Sequence, residues 1–477
     1  MQGEARFNAR YIIGIAAVAA LGGLLFGYDW VVIGGAKPFY EKWFRLESAQ
    51  SVGWANSCAL LGCLLGSMAA GWLSDRFGRK RLLVGSAILF GVSSALTGWA
   101  GSFAAFVVWR IAGGVAIGMA SNISPTYIAE VSPAAWRGRL VALNQLTIVT
   151  GILAAQLVNW WIAQPVPEGA TAEMIRASWN GQYGWRWMFT ALVVPSGVFF
   201  AGALFVPESP RWLVRGGASE AARRILARIG GDTYAVRAVA EIRATIEGTE
   251  SARVRLSDLM APKLRRALVV GSALAVLQQW SGINVIFNYA EEIYRGAGYG
   301  VSDILFNIVI TGSINLVFTL VAMGFVDRTG RRALMLWGCA GIAIAHLLLG
   351  GAYSLGWKGA PVLVLTLAAI ACYSMSLAPV TWVLIAEIFP NRVRGVAVSV
   401  AVSALWVACF LLTFTFPMLN ARLGPAGTFW IYAAICIAGW VFIRLRVPET
   451  KGRTLEEIET GWGGARWRED RSVPHMR

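Results

Sequence analysis

The chain alternates long apolar runs with short polar connectors, and the length of those runs decides what they can be. Crossing a ~30 Å hydrocarbon layer takes about 20 consecutive apolar residues in a helix. Twelve runs meet that length, near 11–34, 53–73, 82–100, 104–130, 139–163, 187–206, 266–290, 303–326, 333–355, 361–389, 395–417 and 428–446. They predict an all-α membrane protein with twelve transmembrane helices. One polar interval, 207–265, is far longer than the others and divides the spans six and six. Inside it, ASEAARRILARIGG, with a capping serine at Ser219 and glycines at its end, predicts a short amphipathic helix. TYAVRAVAEIRATIEG, with the same stop, predicts another. The expected organisation is an N-terminal half (1–206), a helical linker (207–265), a C-terminal half (266–446) and a tail (447–477).

Composition agrees with this pattern. Of 477 residues, 57% are hydrophobic and 14% charged, where a soluble chain carries about 25% charged residues. The net charge of +16 does not point to nucleic acid, because the basic residues sit in connectors and no basic domain or nucleic-acid motif accompanies them. They follow alternate spans: Arg76, Arg79, Lys80 and Arg81; Arg137 and Arg139; the linker; Arg328, Arg331 and Arg332; Arg392 and Arg394; then the tail. This positive-inside bias places both termini in the cytoplasm. The six cysteines all fall in apolar runs without metal-ligand spacing, so neither a disulfide framework nor a metal site is expected. The N-terminus could pass for a signal peptide, but its apolar run continues to Ala36 and is long enough to span.

The halves repeat each other in their loops. GWLSDRFGRKR (71–81) recurs as GFVDRTGRR (324–332), between the second and third span of each half. EVSPAAWRGR (130–139) recurs as EIFPNRVRG (387–395), after the fourth, and PESPRWL (207–213) is echoed by PETKGRTLEE (448–457), after the sixth. Two copies of a six-helix unit predict a carrier whose site lies between the halves. These motifs, with GYDWVVIGGA at 27–36 and QQWSGIN at 278–284, resemble the sugar porter family of the major facilitator superfamily over essentially the whole chain. Bacterial sugar/proton symporters, including those for xylose and glucose, are the group it looks most similar to. The resemblance implies the major facilitator fold, a monosaccharide and a proton as cargo, and two halves that rock about the substrate.

The residues support this independently. Asp29 lies in the first apolar run, where a carboxylate costs roughly 2.5–3.5 kcal/mol on insertion scales unless it is paired or hydrated. Counted at ~1.5 Å per residue, it sits ~8 Å below the outer end of its span, and Arg110 sits ~10 Å into the fourth. At matching depth the two can offset each other's desolvation, and a pair whose acid accepts a proton is a two-state element. A constitutive ion pair that merely stabilises the half is the competing reading. The resemblance favours coupling, since the family's symporters carry their proton-linked acid at this position.

A sugar offers hydroxyl groups and an apolar ring face, so its pocket needs amides and aromatics rather than a charge. Gln278, Gln279 and Asn284 crowd the seventh span, where the glycine of SGIN could let the helix break and turn them inward. Gln145 and Asn315 are amides within the fifth and eighth spans, and each amide serves equally well as glue between helices. Trp382 and Trp406 lie within spans of the second half, and Pro379 could kink the helix carrying Trp382. Carried over from the family, Gln145, Gln278, Gln279, Asn284 and Asn315 would bond the sugar, with Phe26, Trp382 and Trp406 lining the pocket. Asn288 replaces the first tyrosine of a frequent Tyr-Tyr pair, and Leu405 stands where some members have glutamine, so the pocket does not name its sugar.

The loop motifs also set acids beside guanidinium groups: Glu130 with Arg137, Glu387 with Arg394, Asp75 with Arg79, Asp327 with Arg331, and Glu208 at the start of the linker. Such pairs suit a cytoplasmic gate that latches and parts, although each exposed pair alone contributes only ~0–1 kcal/mol. In the family these residues tie the halves together in the outward-open state. Topogenic charge with no part in transport is the alternative. GCLLG (62–66) and GVAIG (114–118) read as helix contacts and not nucleotide loops, since no strand precedes them and no lysine follows. His346 and His475 have no metal partner in the sequence. With no cofactor motif and no nucleophile–base constellation, neither an enzyme nor a cofactor is expected. The expected molecule is a monomeric proton-coupled sugar carrier, its rivals a uniporter of the same fold and a non-transporting sugar sensor.

Overall fold

The computed structural model describes residues 7–167, 169–250, 261–390 and 393–451. Eleven helices are long and apolar enough to span a membrane, from Ala9–Phe44 to Arg394–Arg446. The last has 53 residues, which at ~1.5 Å per residue would measure about 80 Å. It breaks at Gly424, whose φ of 68° no helix accommodates and which Pro425 follows. It therefore carries two spans, and the total among the described residues is the expected twelve. The linker helix Ser219–Glu250 likewise breaks, at Gly230 and Gly231, giving the two short helices the glycines predict. The tail from 452 onward lies outside the described residues.

The first helix departs from expectation. It was drawn to end near residue 34, yet it runs from Ala9 to Phe44. The polar residues Lys37 and Glu41 looked like a helix end, but both are buried against other elements, and Pro38 is carried inside the helix. Asp29 consequently stands about 15 residues from the helix end, roughly 22 Å by the same ruler, and not ~8 Å.

Two spans break where the sequence is built to break. The seventh consists of Pro262–Trp280 and Ile283–Asn288, joined through Gly282 at φ 85°. The carbonyl of Ser281 beside the break accepts from Nε2 of the buried His346, 2.8 Å away. Because a carbonyl only accepts, the proton must sit on Nε2, so His346 serves to pin a helix break. The tenth span divides at Ser376 into Ala360–Met375 and Leu377–Glu387.

Within each half, helices meet through small residues. A Cβ built on Gly114 would lie 1.9 Å from the Ala59 carbonyl oxygen, and one on Gly62 would lie 2.0 Å from that of Ile111. The second and fourth helices thus touch backbone to backbone, as the small-xxx-small spacing of both glycine patterns predicts. The halves meet through the second and eleventh spans, where Gly53 abuts the Phe414 carbonyl, and through the fifth and eighth, where Gly312 abuts Gln156.

These contacts give a graded expectation. Gly114→Ala forces backbone against backbone, an overpacking that costs about 1–3 kcal/mol. A Cβ on Gly85 meets nothing within 4 Å. In detergent the melting temperature should fall by several degrees for Gly114→Ala and stay at the wild-type value for Gly85→Ala.

Candidate functional site

Between the halves lies a cavity of about 790 Å³. Its wall includes Ala135, Gly138, Arg139 and Arg331 from the linker face of the molecule, so it opens to that side. Phe26, Gln145, Gln278, Gln279, Asn284, Asn315, Trp382 and Trp406 all line it. Asn288 does not: it is buried beyond the cavity wall, where the backbone passes Gly34 of the first helix.

The amides are brought together by the broken seventh span. Gln278 Nε2 donates to the Leu377 and Ala378 carbonyls at 3.2 and 3.1 Å, beside the break in the tenth span. Gln279 Nε2 donates to Gln278 Oε1 at 3.3 Å, and Asn284 Nδ2 donates to Gln279 Oε1. A straight helix would turn Asn284 away from Gln279; the left-handed Gly282 turns it back. Asn315 Oδ1 accepts from Ser374 Oγ at 2.6 Å.

Three rings form the aromatic wall. Trp406 stands 6.1 Å from Phe26 and 5.9 Å from Trp30 between ring centroids, within range for edge and tilted ring contacts. Trp406 Nε1 and Asn144 Oδ1, both on cavity-lining residues, are buried without a hydrogen-bond partner. An unmade buried hydrogen bond costs ~1–3 kcal/mol, so one orphan donor and one orphan acceptor call for a ligand that supplies both functions.

Asp29 and Arg110 pair as predicted: Arg110 Nη1 donates to Asp29 Oδ1 at 2.6 Å, with both residues at most 3% exposed. The pair is incomplete, since Asp29 Oδ2 and Arg110 Nε are buried without hydrogen-bond partners. It lies outside the cavity lining, although Asp29 stands between Phe26 and Trp30 on the helix that carries both into the cavity.

The gate residues are arranged differently from expectation. Glu130 is held by Arg79 and not by Arg137: Arg79 Nε and Nη2 reach its two oxygens, each at 3.0 Å. Arg137 donates to the Ala129 carbonyl. Arg79 also reaches Asp75 at 3.1 Å, Ser209 Oγ donates to Glu130 at 2.5 Å, and Glu208 accepts from the Arg79 amide at 2.8 Å. The second half repeats this cluster. Arg331 pairs with Glu387 at 3.4 Å, Thr450 Oγ1 donates to Glu387 at 2.6 Å, and Glu449 accepts from the Arg331 amide at 2.9 Å. Arg394 donates to the Phe389 carbonyl. The side chain of Asp327 lies outside the described residues. Each of these bonds stays within one half and the segment that directly follows it, the arrangement expected when the linker face is open.

Sequence reasoning missed the far face. There Lys37 of the first helix meets Glu291 and Glu292 of Ala290–Gly296, across the two halves. The signal was available as a lysine and a glutamate four residues apart in a run ended too early. Ser209, Glu449 and Thr450 were also missed as site residues, although the echo between PESPRWL and PETKGRTLEE contains all three.

The geometry is matched by comparison with known proteins. Residues 15–462 fit the family described as "Sugar (and other) transporter". The chain belongs to this sugar transporter family. The D-xylose-proton symporter of Escherichia coli (strain K12) is 38% identical, with 96% of this chain and 97% of that protein covered. The arabinose-proton symporter of Bacillus subtilis (strain 168) is also 38% identical, over 95% of each. The inward open conformation of the xylose transporter XylE from E. coli superposes with a TM-score of 0.81 at 37% identity, covering 95% of this chain and all of that one. The sugar transporter fold, twelve helices in two repeated halves, is therefore that of the major facilitator superfamily.

Removing the charge of Glu130 leaves Arg79, which is 9% exposed, without its two-pronged partner. Loss of a charged hydrogen bond of this kind costs ~1.5–3 kcal/mol. Glu130→Gln should lower the melting temperature by several degrees, whereas Arg137→Ala, which gives up only a bond to a carbonyl, should leave it within error of wild type.

Proposed function

We propose that this chain carries a monosaccharide, a hexose or pentose, across the bacterial cytoplasmic membrane together with a proton, by alternating access. It is a transporter and not an enzyme. The observation that carries the reading is one helix that presents Phe26 and Trp30 to an amide-lined cavity and, between those two residues, holds a buried, half-satisfied Asp29–Arg110 pair. The relatives named as xylose– and arabinose–proton symporters support both cargoes. Both termini and the linker face the cytoplasm on this reading, which the basic connectors support. The units are the halves 1–206 and 266–446, the linker 207–265 and the tail 447–477. The working unit is a monomer, since the cavity is enclosed by spans of one chain.

The residue roles follow from chemistry. Ionised Asp29 holds Arg110 in a dry interior, where removing one partner of a buried pair is costly. A proton arriving from outside neutralises the acid, loosens the pair and frees the first helix to close with sugar against Trp406 and the amides of the seventh span. Once the linker face opens, the sugar leaves, and Asp29 loses its proton to the cytoplasm and recaptures Arg110. Gln145, Gln278, Gln279, Asn284 and Asn315 exchange hydrogen bonds with the sugar hydroxyls. Phe26, Trp382 and Trp406 cover its ring, and Asn288 acts from behind the wall through the backbone of the seventh span. Asp75, Arg79, Glu130, Arg137 and Glu208, with Asp327, Arg331, Glu387 and Arg394, form the cytoplasmic gate. It tightens across the halves when the carrier faces outward. A uniporter is the second reading; the buried acid favours symport.

Uptake of labelled xylose, arabinose and glucose into vesicles, with and without an imposed pH gradient, tests the reading. Accumulation of at least one sugar should require the gradient and collapse with an uncoupler. Asp29→Asn should abolish accumulation while exchange of sugar down its gradient survives; normal accumulation by this variant would remove Asp29 from the coupling. Trp406→Ala, which takes away a stacking face and a donor, should raise the sugar's dissociation constant by roughly tenfold or more, the equivalent of at least ~1.4 kcal/mol, in a titration on purified protein.

A further inference from the structure

On the face opposite the linker the two halves are held together by charge. Lys37, 2% exposed, lies 3.0 Å from Glu41 one turn further along its helix and 3.4 Å from Glu291 across the boundary between halves. It also pairs with Glu292, and Arg295 pairs with Glu291 from a half-exposed position. Three carboxylates thus converge on one buried cation, while Arg295 stands at the rim, where water screens it. The other titratable groups facing the cluster are Tyr40 and Lys42 on the first helix and Tyr289 on the seventh span. The Tyr289 ring lies beneath Lys37 with its centroid 5.6 Å away.

The cluster is not balanced. Glu292 Oε2 and Tyr40 Oη are buried without hydrogen-bond partners. Three ionised acids beside Lys37 and the rim residue Arg295 leave a net negative charge in a partly buried site, and such sites respond by binding a proton. Ala290–Gly296 lies beyond the end of the spanning segment Leu264–Asn288. Burial there lifts the Glu292 carboxyl to about 7, against the opposing pull of Lys37.

We propose that Glu41, Glu291 and Glu292 around Lys37 form a second proton-binding site, separate from Asp29 and Arg110, which takes up one proton when the far face shuts and releases it when that face opens. Opening parts Lys37 from Glu291 and Glu292, water enters, and the protonated carboxyl dissociates to carboxylate and a proton on the side from which the proton came. This proton is therefore not carried across with the sugar; it sets how readily the far face closes. The shut form has its full advantage below the ordinary carboxylate value of ~4.3 and loses it as the pH rises through about 7.

The test measures a distance, and no sugar is added, so its failure is separable from failure of the transport reading. Spin labels on cysteines replacing Trp161 and Leu355, exposed residues at the far ends of the fifth and ninth helices, report the separation of the halves in full-length protein in lipid nanodiscs. From about pH 5.5 to about pH 8.5 the short-distance population should fall severalfold in otherwise unsubstituted protein. Glu292→Gln should hold it high at every pH. Glu41→Gln should flatten the response in the same way if Glu292→Gln proves unstable. A pH response that persists in both glutamine variants, or that is missing from the unsubstituted protein, would overturn the proposal.

Discussion

In a hydrocarbon layer a charge survives only beside its opposite or beside water, and the bond between Asp29 and Arg110 is where this chain meets that requirement most deeply. The acid sits in a helix that both halves depend on. This helix packs against the fifth span through Gly27 and Gly151, places Phe26 and Trp30 in the cavity, and passes the seventh span at Gly34. A change in the charge of Asp29 is therefore a change in an element that lines the cavity and touches both its own half and the opposite half.

Most of the architecture was legible because it is written in lengths and repeats. Apolar run length gave the spans, and the duplicated loop motifs gave the two halves. The duplication holds at the level of single atoms: Glu208 and Glu449 accept from the amides of Arg79 and Arg331, and Ser209 and Thr450 complete the clusters around Glu130 and Glu387. The pairing within those clusters was not legible. Neighbours in sequence suggested Glu130 with Arg137, but the turn at Gly78, with φ at 89°, starts the third helix so that Arg79 faces the end of the fourth.

The cavity residues were found for a similar reason: amides and aromatics inside apolar spans are costly and so stand out. Asn288 shows the limit, because an amide in the right span can still face the packing behind the wall. The first helix shows another. A lysine and a glutamate normally mark where a span emerges into water, yet here Glu41 is paired with Lys37, and Lys37 in turn with carboxylates and an aromatic ring of the partner half, which no single-span reading could reveal.

The clamps made by Glu208 and Glu449 have a mechanical side. Each acid stands just after the sixth span of its half and grips the turn between that half's second and third spans. The linker is thus moored at its leading end to the half it leaves. The second half is moored in the same way, with Glu449 and Lys451 fastened to the turn at Arg328 and Arg331, so each half holds the end of its own sixth span without help from the other.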